Sequence, residues 1–381
     1  MKAASVLDYR ELACQRLPRF LFDYIDGGSY AELTLRRNIQ DLEQVALRQR
    51  VLRDVSNVEL STELFGQKVT MPVGLAPVGF SGMLARRGEV QAVRAAEAAG
   101  IPFCLSIMGV CSLEEVAAGA SRPFWLQLYM IRDRVLLRDL IARARELGCS
   151  ALIFTVDTPM GAARYRDIRA GLIGSSDLTS AVSRLWQAMR RPAWAWDVGI
   201  RGRPHGLGNV APVLSGKAGL KDYFAWVGAN LESGISWKDI DIIRSEWSGP
   251  LIIKGVLDVE DAREAAKLGA DGLVVSNHGG RQLDGAPSTT KALPLIADAV
   301  GTDLTLLVDG GVRSGIDVMR MLALGAKGVL LGRAWAYALA AGGEQGVVHL
   351  LKLIETEMRV AMALAGLNRV GAIDRQVLAD L

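Results

Sequence analysis

Eight short apolar runs, each bounded by glycine, proline or aspartate, leave this chain very few folds to choose from. They occupy residues 72–79, 103–108, 124–130, 151–157, 251–256, 272–277, 304–310 and 328–332. Stretches such as Leu251-Ile252-Ile253 are continuously hydrophobic rather than alternating. That pattern belongs to parallel strands covered on both faces. Helical patterns fall between most of them. Residues 88–99 are rich in alanine and glutamate, and 134–147 carry Leu136, Leu137, Leu140 and Ile141 at helical spacing. Residues 259–268 follow a capping Asp258, and 314–324 continue the series. Eight strand-then-helix units in series predict an α/β protein with a closed (β/α)8 TIM barrel. An open doubly wound sheet would carry a glycine fingerprint at its first turn, and Ala76-Pro77-Val78-Gly79 has none.

The length of 381 residues fits one such domain with additions. Residues 1–68 are expected to form an N-terminal helical extension, about 69–366 the barrel, and about 346–366 a final helix. Residues 171–236 interrupt the barrel after the fourth strand, far beyond the roughly 2–6 residues of an ordinary connection. Half the residues are hydrophobic and 22% are charged, which suits a large core. A net charge of +3 gives no reason to expect a nucleic-acid partner. Cys14, Cys104, Cys111 and Cys149, with His205, His278 and His349, show no metal-ligand spacing, so no metal is expected and the thiols read as reduced. The first ten residues lack the apolar core of a signal peptide, and no uncharged run reaches the ~18 residues of a membrane span.

Barrel sites form at the C-terminal strand ends, and these ends are polar here. They read Gln127-Leu128-Tyr129, Thr155-Val156-Asp157, Lys254-Gly255, Ser276-Asn277-His278-Gly279-Gly280-Arg281, Asp309-Gly310-Gly311-Val312-Arg313 and Gly332-Arg333. The last two, each pairing glycine with arginine, suit a phosphate: backbone N–H groups approach closely and the guanidinium adds charged bonds. Glycines that merely shape turns are the alternative. A histidine three residues before an arginine suits a base beside a carboxylate clamp, as oxidation of a 2-hydroxy acid requires.

The run from Ser276 to Asp284 resembles the signature of the FMN-dependent L-2-hydroxy acid dehydrogenases and oxidases. Phe22-Asp23-Tyr24, Gln127-Leu128-Tyr129, Thr155-Val156-Asp157-Thr158-Pro159, Lys254-Gly255 and Asp309-Gly310-Gly311-Val312-Arg313 carry the same resemblance. Leu35-Arg36-Arg37-Asn38, residues 83–89 and residues 194–199 look most like the bacterial respiratory L-lactate dehydrogenase branch. The resemblance implies FMN as cofactor and L-lactate, or a similar small hydroxy acid, as substrate. His278 would be the base and Asp157 its orienting carboxylate. Tyr24, Tyr129, Arg164 and Arg281 would bind substrate, with Tyr129 near its hydroxyl. Lys254 would sit at the flavin pyrimidine edge. Ser106, Gln127, Thr155 and Ser276 would hydrogen-bond the flavin, and Asp309, Gly310, Gly311, Arg313, Gly332 and Arg333 would hold the ribityl phosphate. Ile107-Met108-Gly109 departs from the small or hydroxylated residues usual after Ser106 and leaves the preferred side chain open. Proton abstraction from carbon and hydride transfer both remain open.

Within residues 177–203, Arg184, Arg190, Arg191, Arg201 and Arg203 are interleaved with Trp186, Trp194 and Trp196. This composition suits a helix at a membrane interface, and equally a lid over the site. The resemblance favours the membrane. It implies a peripheral enzyme on the cytoplasmic face of the inner membrane, a homotetramer, passing electrons to a quinone or another respiratory acceptor. An oxidase using oxygen and a non-catalytic flavin-binding membrane protein are the alternatives.

Overall fold

The computed structural model describes residues 3–172, 178–210 and 226–379. Ten strands are present among the described residues. Thr62–Leu64 (β1) and Gln67–Val69 (β2) form an antiparallel hairpin. The other eight are Val73–Leu75 (β3), Cys104–Ser106 (β4), Trp125–Leu128 (β5), Ala151–Thr155 (β6), Leu251–Val256 (β7), Gly272–Val275 (β8), Thr305–Val308 (β9) and Gly328–Leu331 (β10). They pair in parallel in the order β3-β10-β9-β8-β7-β6-β5-β4. A single parallel bridge, Leu75 to Phe103, closes the seam between first and last. The expected barrel is therefore the observed one.

Side chains alternate across each strand, so residues two apart share a face. Cys104, Trp125, Ile153, Ile252, Val274, Leu307 and Leu330 make one buried layer inside the barrel. The opposite strand faces pack under the surrounding helices in the larger core. Several of those helices start with a side-chain cap: Ser112, Asp133, Asp258, Ser288 and Ser314 each accept a first-turn backbone N–H. Each such cap contributes about 1 kcal/mol.

The N-terminal segment begins with helices Val6–Arg16 (α1), Arg19–Asp26 (α2) and Leu33–Glu43 (α3). It does not stay helical to residue 68. Its end is the β1–β2 hairpin, whose Leu64 and Val69 join the inner barrel layer. Phe65 meets Trp125 edge-on with ring centroids 5.8 Å apart. The hairpin plugs the N-terminal mouth, leaving the C-terminal end as the open one. The last helix also differs. Helical structure runs over Arg333–Leu364, and Gly343 at φ 61° breaks it. The sequence pattern marked only the part beyond that break.

A buried carboxylate fastens the extension. Asp26 accepts from Arg10 at 2.5 and 2.8 Å, from Arg166 at 2.8 Å and from the Tyr337 hydroxyl at 2.6 Å. Burial opposes the charge on Asp26, but these donors outweigh it and hold its pKa far below the carboxylate range. α1, α2, the start of the last helix and the chain after β6 thus meet at one group.

Of the insert, residues 173–177, among them Asp177, and residues 211–225 lie outside the described residues. Leu178–Met189 is a helix that docks through polar side chains: Arg184 donates to Gly171 O, and Gln187 Oε1 accepts Phe20 N–H at 2.9 Å. Trp194 is buried in the main core, and its indole N–H donates to Met83 O at 2.8 Å. Removing this ring leaves a cavity and an unpaired carbonyl. Trp194→Ala is expected to lower stability by about 3–5 kcal/mol, read from the denaturant midpoint, with faster proteolysis of the insert. An unchanged midpoint would show that the ring does not anchor the insert.

Candidate active site

Two residues beyond the inner apolar layer, the inward positions turn polar. Cys104 is followed by Ser106, Trp125 by Gln127, Ile153 by Thr155, Ile252 by Lys254, Val274 by Ser276 and Leu307 by Asp309. All six polar residues are buried. They satisfy one another in two chains. Ser106 Oγ donates to Gln127 Oε1 at 2.9 Å, and Gln127 Nε2 donates to Thr155 Oγ1 at 3.0 Å. Lys254 Nζ donates to Ser276 Oγ at 2.9 Å and lies 3.0 Å from Asp309 Oδ2. The Ser276 hydroxyl donates to Asp309 Oδ1 at 2.7 Å and accepts His278 N–H at 3.0 Å. Burial disfavours charge on Lys254, yet Asp309 and Asp157 more than offset it and raise its pKa. Lys254 is therefore a buried ammonium.

Above this layer lies a cavity of about 590 Å³, within the range of small-molecule and cofactor sites. Of the candidate catalytic, substrate and flavin residues, all but Asp157 and Ser276 border it. Those two stand directly behind His278 and Lys254. His278 holds φ 56°, a left-handed conformation costing a non-glycine residue roughly 1–3 kcal/mol. Its Nδ1 meets Asp157 Oδ1 at 2.9 Å, which leaves Nε2 as the ring nitrogen open to the cavity. Burial lowers the His278 pKa despite the upward pull of Asp157, so the ring is neutral at neutral pH. Burial would raise the Asp157 pKa, but His278 and Lys254 together bring it below its usual value.

Gly255, at φ 106°, makes room for that carboxylate: a Cβ there would lie 2.6 Å from Asp157 Cβ. Gln282 Nε2 donates to Asp157 O at 2.8 Å and Met160 O at 3.1 Å, tying the His278 loop to the Asp157 loop. Asp284 accepts from Ala31 N at 3.0 Å and Thr34 N at 2.9 Å, and so caps α3 from a distance. The importance of Gln282 and Asp284 went unmarked by sequence reasoning beyond their place in the glycine-rich run. Both act across more than a hundred residues of chain, which no local spacing announces.

Cations line two parts of the cavity. The Arg281 guanidinium donates to Tyr24 O and to Gly27 O at 3.0 Å, and lies 4.8 Å from the Tyr24 ring centroid. Burial, then the nearby Arg281, lowers the Arg164 pKa to about 10; its carboxylate neighbour Asp167 is 3.9 Å away. Burial raises the pKa of both Tyr24 and Tyr129, keeping them as neutral donors. On the other side, Arg333 donates to Gly279 O at 2.8 Å and Gly27 O at 2.7 Å, and burial lowers its pKa to about 9. Its Nε is buried without a partner. Among the described residues neither Arg313 nor Arg333 has a carboxylate in salt-bridge range. Gly310 and Gly311 turn at φ 96° and 84° beside them, and a Cβ on Gly332 would meet nothing within 4 Å.

These features fit FMN. The open glycine cradle with two uncompensated arginines suits its phosphate. The buried Lys254 ammonium suits a ring that gains negative charge on reduction. In the departing segment only Met108 reaches the cavity; Ile107 is buried in the main core, and Gly109 N–H turns back to Ser106 O. The wall is narrowed by one side chain rather than two.

The model of the family described as FMN-dependent dehydrogenase matches residues 13–380. The chain is 63% identical over 379 residues to the L-lactate dehydrogenase of Caulobacter sp. (strain K31), covering 100% of this chain and 99% of that one. It is 58% identical over 381 residues to the L-lactate dehydrogenase of Azorhizobium caulinodans, covering 100% of both. Among solved structures, a monotopic membrane protein, (S)-mandelate dehydrogenase, superposes with TM-score 0.92 at 32% identity over 100% of both chains. A mandelate oxidase superposes with TM-score 0.84 at 37% identity, covering 99% of this chain and 98% of that one.

The chain has three histidines, so selective labelling isolates the His278 ring. Its NMR titration is expected below the ordinary value of 6.5. Asp157→Asn removes the main upward influence, so it should move the midpoint lower still. A midpoint that rises, or stays put, would mean the Asp157 contact is not formed.

Proposed function

The chain belongs to the FMN-dependent dehydrogenase family, and from that premise we propose that it oxidises L-lactate, or a similarly small L-2-hydroxy acid, to the 2-oxo acid. The observation that carries this is the neutral His278, backed by Asp157 at 2.9 Å, opening on the same cavity as Arg164 and Arg281. The names of the relatives at 57–63% identity support lactate. Bound FMN supplies the two-electron acceptor. It would be held by Ser106, Gln127, Thr155, Ser276 and Lys254 along its ring, and by Asp309, Gly310, Gly311, Arg313, Gly332 and Arg333 from ribityl chain to phosphate.

Arg281 and Arg164 receive the substrate carboxylate, with the Tyr24 hydroxyl as a further donor. A planar guanidinium grips a carboxylate with two bonds where an ammonium offers one point of charge. Tyr129 hydrogen-bonds near the substrate hydroxyl. His278 Nε2 takes a proton from the bound hydroxy acid, and Asp157 stabilises the imidazolium that forms. Met108 bounds the space for the side chain and favours a small one.

A specific observation supports a membrane partner. The helix Leu178–Met189 docks by its polar face and turns Val182, Leu185, Trp186 and Met189 outward, each more than half exposed. Their i, i+3, i+4, i+7 spacing makes one apolar stripe, opposite to the usual arrangement. Trp196 and Ile200 extend the exposed apolar surface, and Arg190, Arg201 and Arg203 are exposed beside it. No described helix is long and apolar enough to cross a membrane. The stripe supports peripheral attachment to a membrane; the cytoplasmic face of the inner membrane, the homotetramer and a quinone or other respiratory acceptor are what the family resemblance adds to this reading. Trp194 and Arg191 take no part in it. Trp194 is buried, and Arg191 donates to Cys14 O and Leu17 O at 3.1 Å each.

His278→Ala is expected to retain FMN and lose turnover by at least about 10²–10⁴-fold, the usual worth of acid–base work. Near wild-type kcat with L-lactate and a soluble dye would show that the base lies elsewhere. Replacing Leu185, Trp186, Met189 and Trp196 by Ser should move the enzyme to the soluble fraction while dye-linked turnover persists. Binding of the unaltered enzyme to anionic vesicles should weaken with salt without vanishing, because only the arginine part is screened. Continued sedimentation of the four-fold variant with membranes would remove the membrane reading.

A further inference from the structure

We propose that Asn38, on α3 outside the barrel, is a positioning residue that couples the phosphate loop to the loop presenting His278. The proposal rests on the assignment of His278 as base. The juxtaposition that carries it is a reciprocal amide pair. Asn38 Nδ2 donates to Asn277 Oδ1 at 2.8 Å, and Asn277 Nδ2 donates to Asn38 Oδ1 at 2.8 Å. Both side chains are buried. Asn277 immediately precedes His278, and its amide also builds the turn that holds the base. Asn277 Oδ1 accepts Gly280 N–H at 3.0 Å, and Asn277 Nδ2 donates to Pro287 O at 3.1 Å. Turning the Asn277 amide over would place an NH2 against the Gly280 N–H and an oxygen against a carbonyl. Gly280 and Pro287 select this orientation, and Asn38, itself oriented by the Thr289 N–H on its Oδ1, is the partner that completes it behind the left-handed His278.

The same residue lies against the phosphate loop. A Cβ on Gly311 would fall 2.1 Å from Asn38 O, and one on Gly310 would fall 3.3 Å from Asn38 Nδ2. The two glycines give close backbone approach to α3 on one side while their loop faces the cavity on the other. A shift of Asn38 displaces both loops together, since one residue is the packing surface of the first and the hydrogen-bond partner of the second. Neighbouring contacts keep α3 from moving independently: Thr289 N–H reaches Asn38 Oδ1 at 3.3 Å, and Gly285 N–H reaches Thr34 Oγ1 at 2.9 Å. The inferred coupling runs both ways. A filled phosphate loop steadies α3 and the Asn277 turn, and an intact turn steadies the phosphate loop.

Asn38→Asp tests this with little change of size, because it replaces the Nδ2 donor by an acceptor facing Asn277 Oδ1. Apoprotein is titrated with FMN by quenching of flavin fluorescence, and FMN-saturated enzyme is assayed with L-lactate and a soluble dye. The expected result is a fall in kcat of about tenfold or more with KM nearly unchanged, together with an FMN dissociation constant raised by about tenfold. Asn38→Ser, which removes the amide without adding charge, should move both quantities in the same directions and serves if the aspartate variant does not fold. In a double-mutant cycle, Asn38→Ser with Asn277→Ser should cost little more than the worse single variant, as expected of residues acting as a unit. Wild-type kcat and FMN affinity in a folded variant overturn the proposal, even if its melting temperature falls. A change in only one of the two quantities overturns the coupling. Near wild-type kcat in His278→Ala overturns the underlying assignment instead, and the two failures are told apart by that control.

Discussion

Everything at the catalytic end follows from the two-residue repeat of the parallel strands. Inward positions of one layer are apolar, and Trp125, Ile153, Ile252 and Val274 fill the barrel with Phe65 inserted from below. The next inward positions, one pleat repeat higher, are Gln127, Thr155, Lys254 and Ser276. A chain that packs the lower layer has no freedom over where the upper one points. Slipping one strand by a single residue would turn its polar group outward and bury an apolar one in its place. The barrel thus supplies stability and site geometry through the same register, and the hairpin plug leaves only the polar end open.

Charge compensation divides that end into parts. Lys254, Asp309 and Ser276 form a closed set in which every charge has a partner and the serine hydroxyl uses its donor and both acceptor positions. His278 and Asp157 form a second set, with Nε2 left outward. Arg164, Arg281, Arg313 and Arg333 are different. They are held by carbonyls or stand near a single distant carboxylate, and burial depresses the pKa of Arg164 and Arg333. Buried cations without a close carboxylate carry an unfavourable desolvation term that a bound anion relieves. Two such clusters on one cavity suit two anionic groups, as the proposed cofactor phosphate and substrate carboxylate would be.

The barrel was legible in the sequence because strands covered on both faces read as unbroken apolar runs, and all eight runs contain the strand they foretold. The site was legible because a barrel concentrates its chemistry where those runs end, so Lys254 after Leu251-Ile252-Ile253 and Asp309 after Leu304–Val308 could be picked out locally. What stayed hidden was decided by distant partners. The β1–β2 hairpin carries too short an alternation to stand out, and it forms because the barrel mouth accepts Phe65. Asn38 looks like any polar helix residue until Asn277 is placed beside it. The tryptophans at 186, 194 and 196 share one composition signal, yet Trp194 is buried and the other two are exposed. Periodicity gives the stripe on Leu178–Met189 but not which side the barrel takes, and here the polar side does.

That inverted helix is also close to the chemistry. Gln187 receives the N–H of Phe20, and Arg191 donates to the carbonyls of Cys14 and Leu17. Phe20 lies in the first turn of the short helix α2, whose last turn carries Tyr24 and Asp26 and whose C-cap is Gly27. The carbonyls of Tyr24 and Gly27 in turn receive Arg281, and Gly27 also receives Arg333. The insert therefore bears on a two-turn rod whose far end holds one arginine from each anion cluster. Any surface that presses on the apolar stripe loads that rod, and Asp26, bound by Arg10, Arg166 and Tyr337, resists the load. A buried carboxylate with that many donors is costly to displace, since each lost partner leaves an uncompensated charge. If the stripe docks on a membrane as proposed, docking and catalysis share α2 without the site deforming, because the rod is pinned between them.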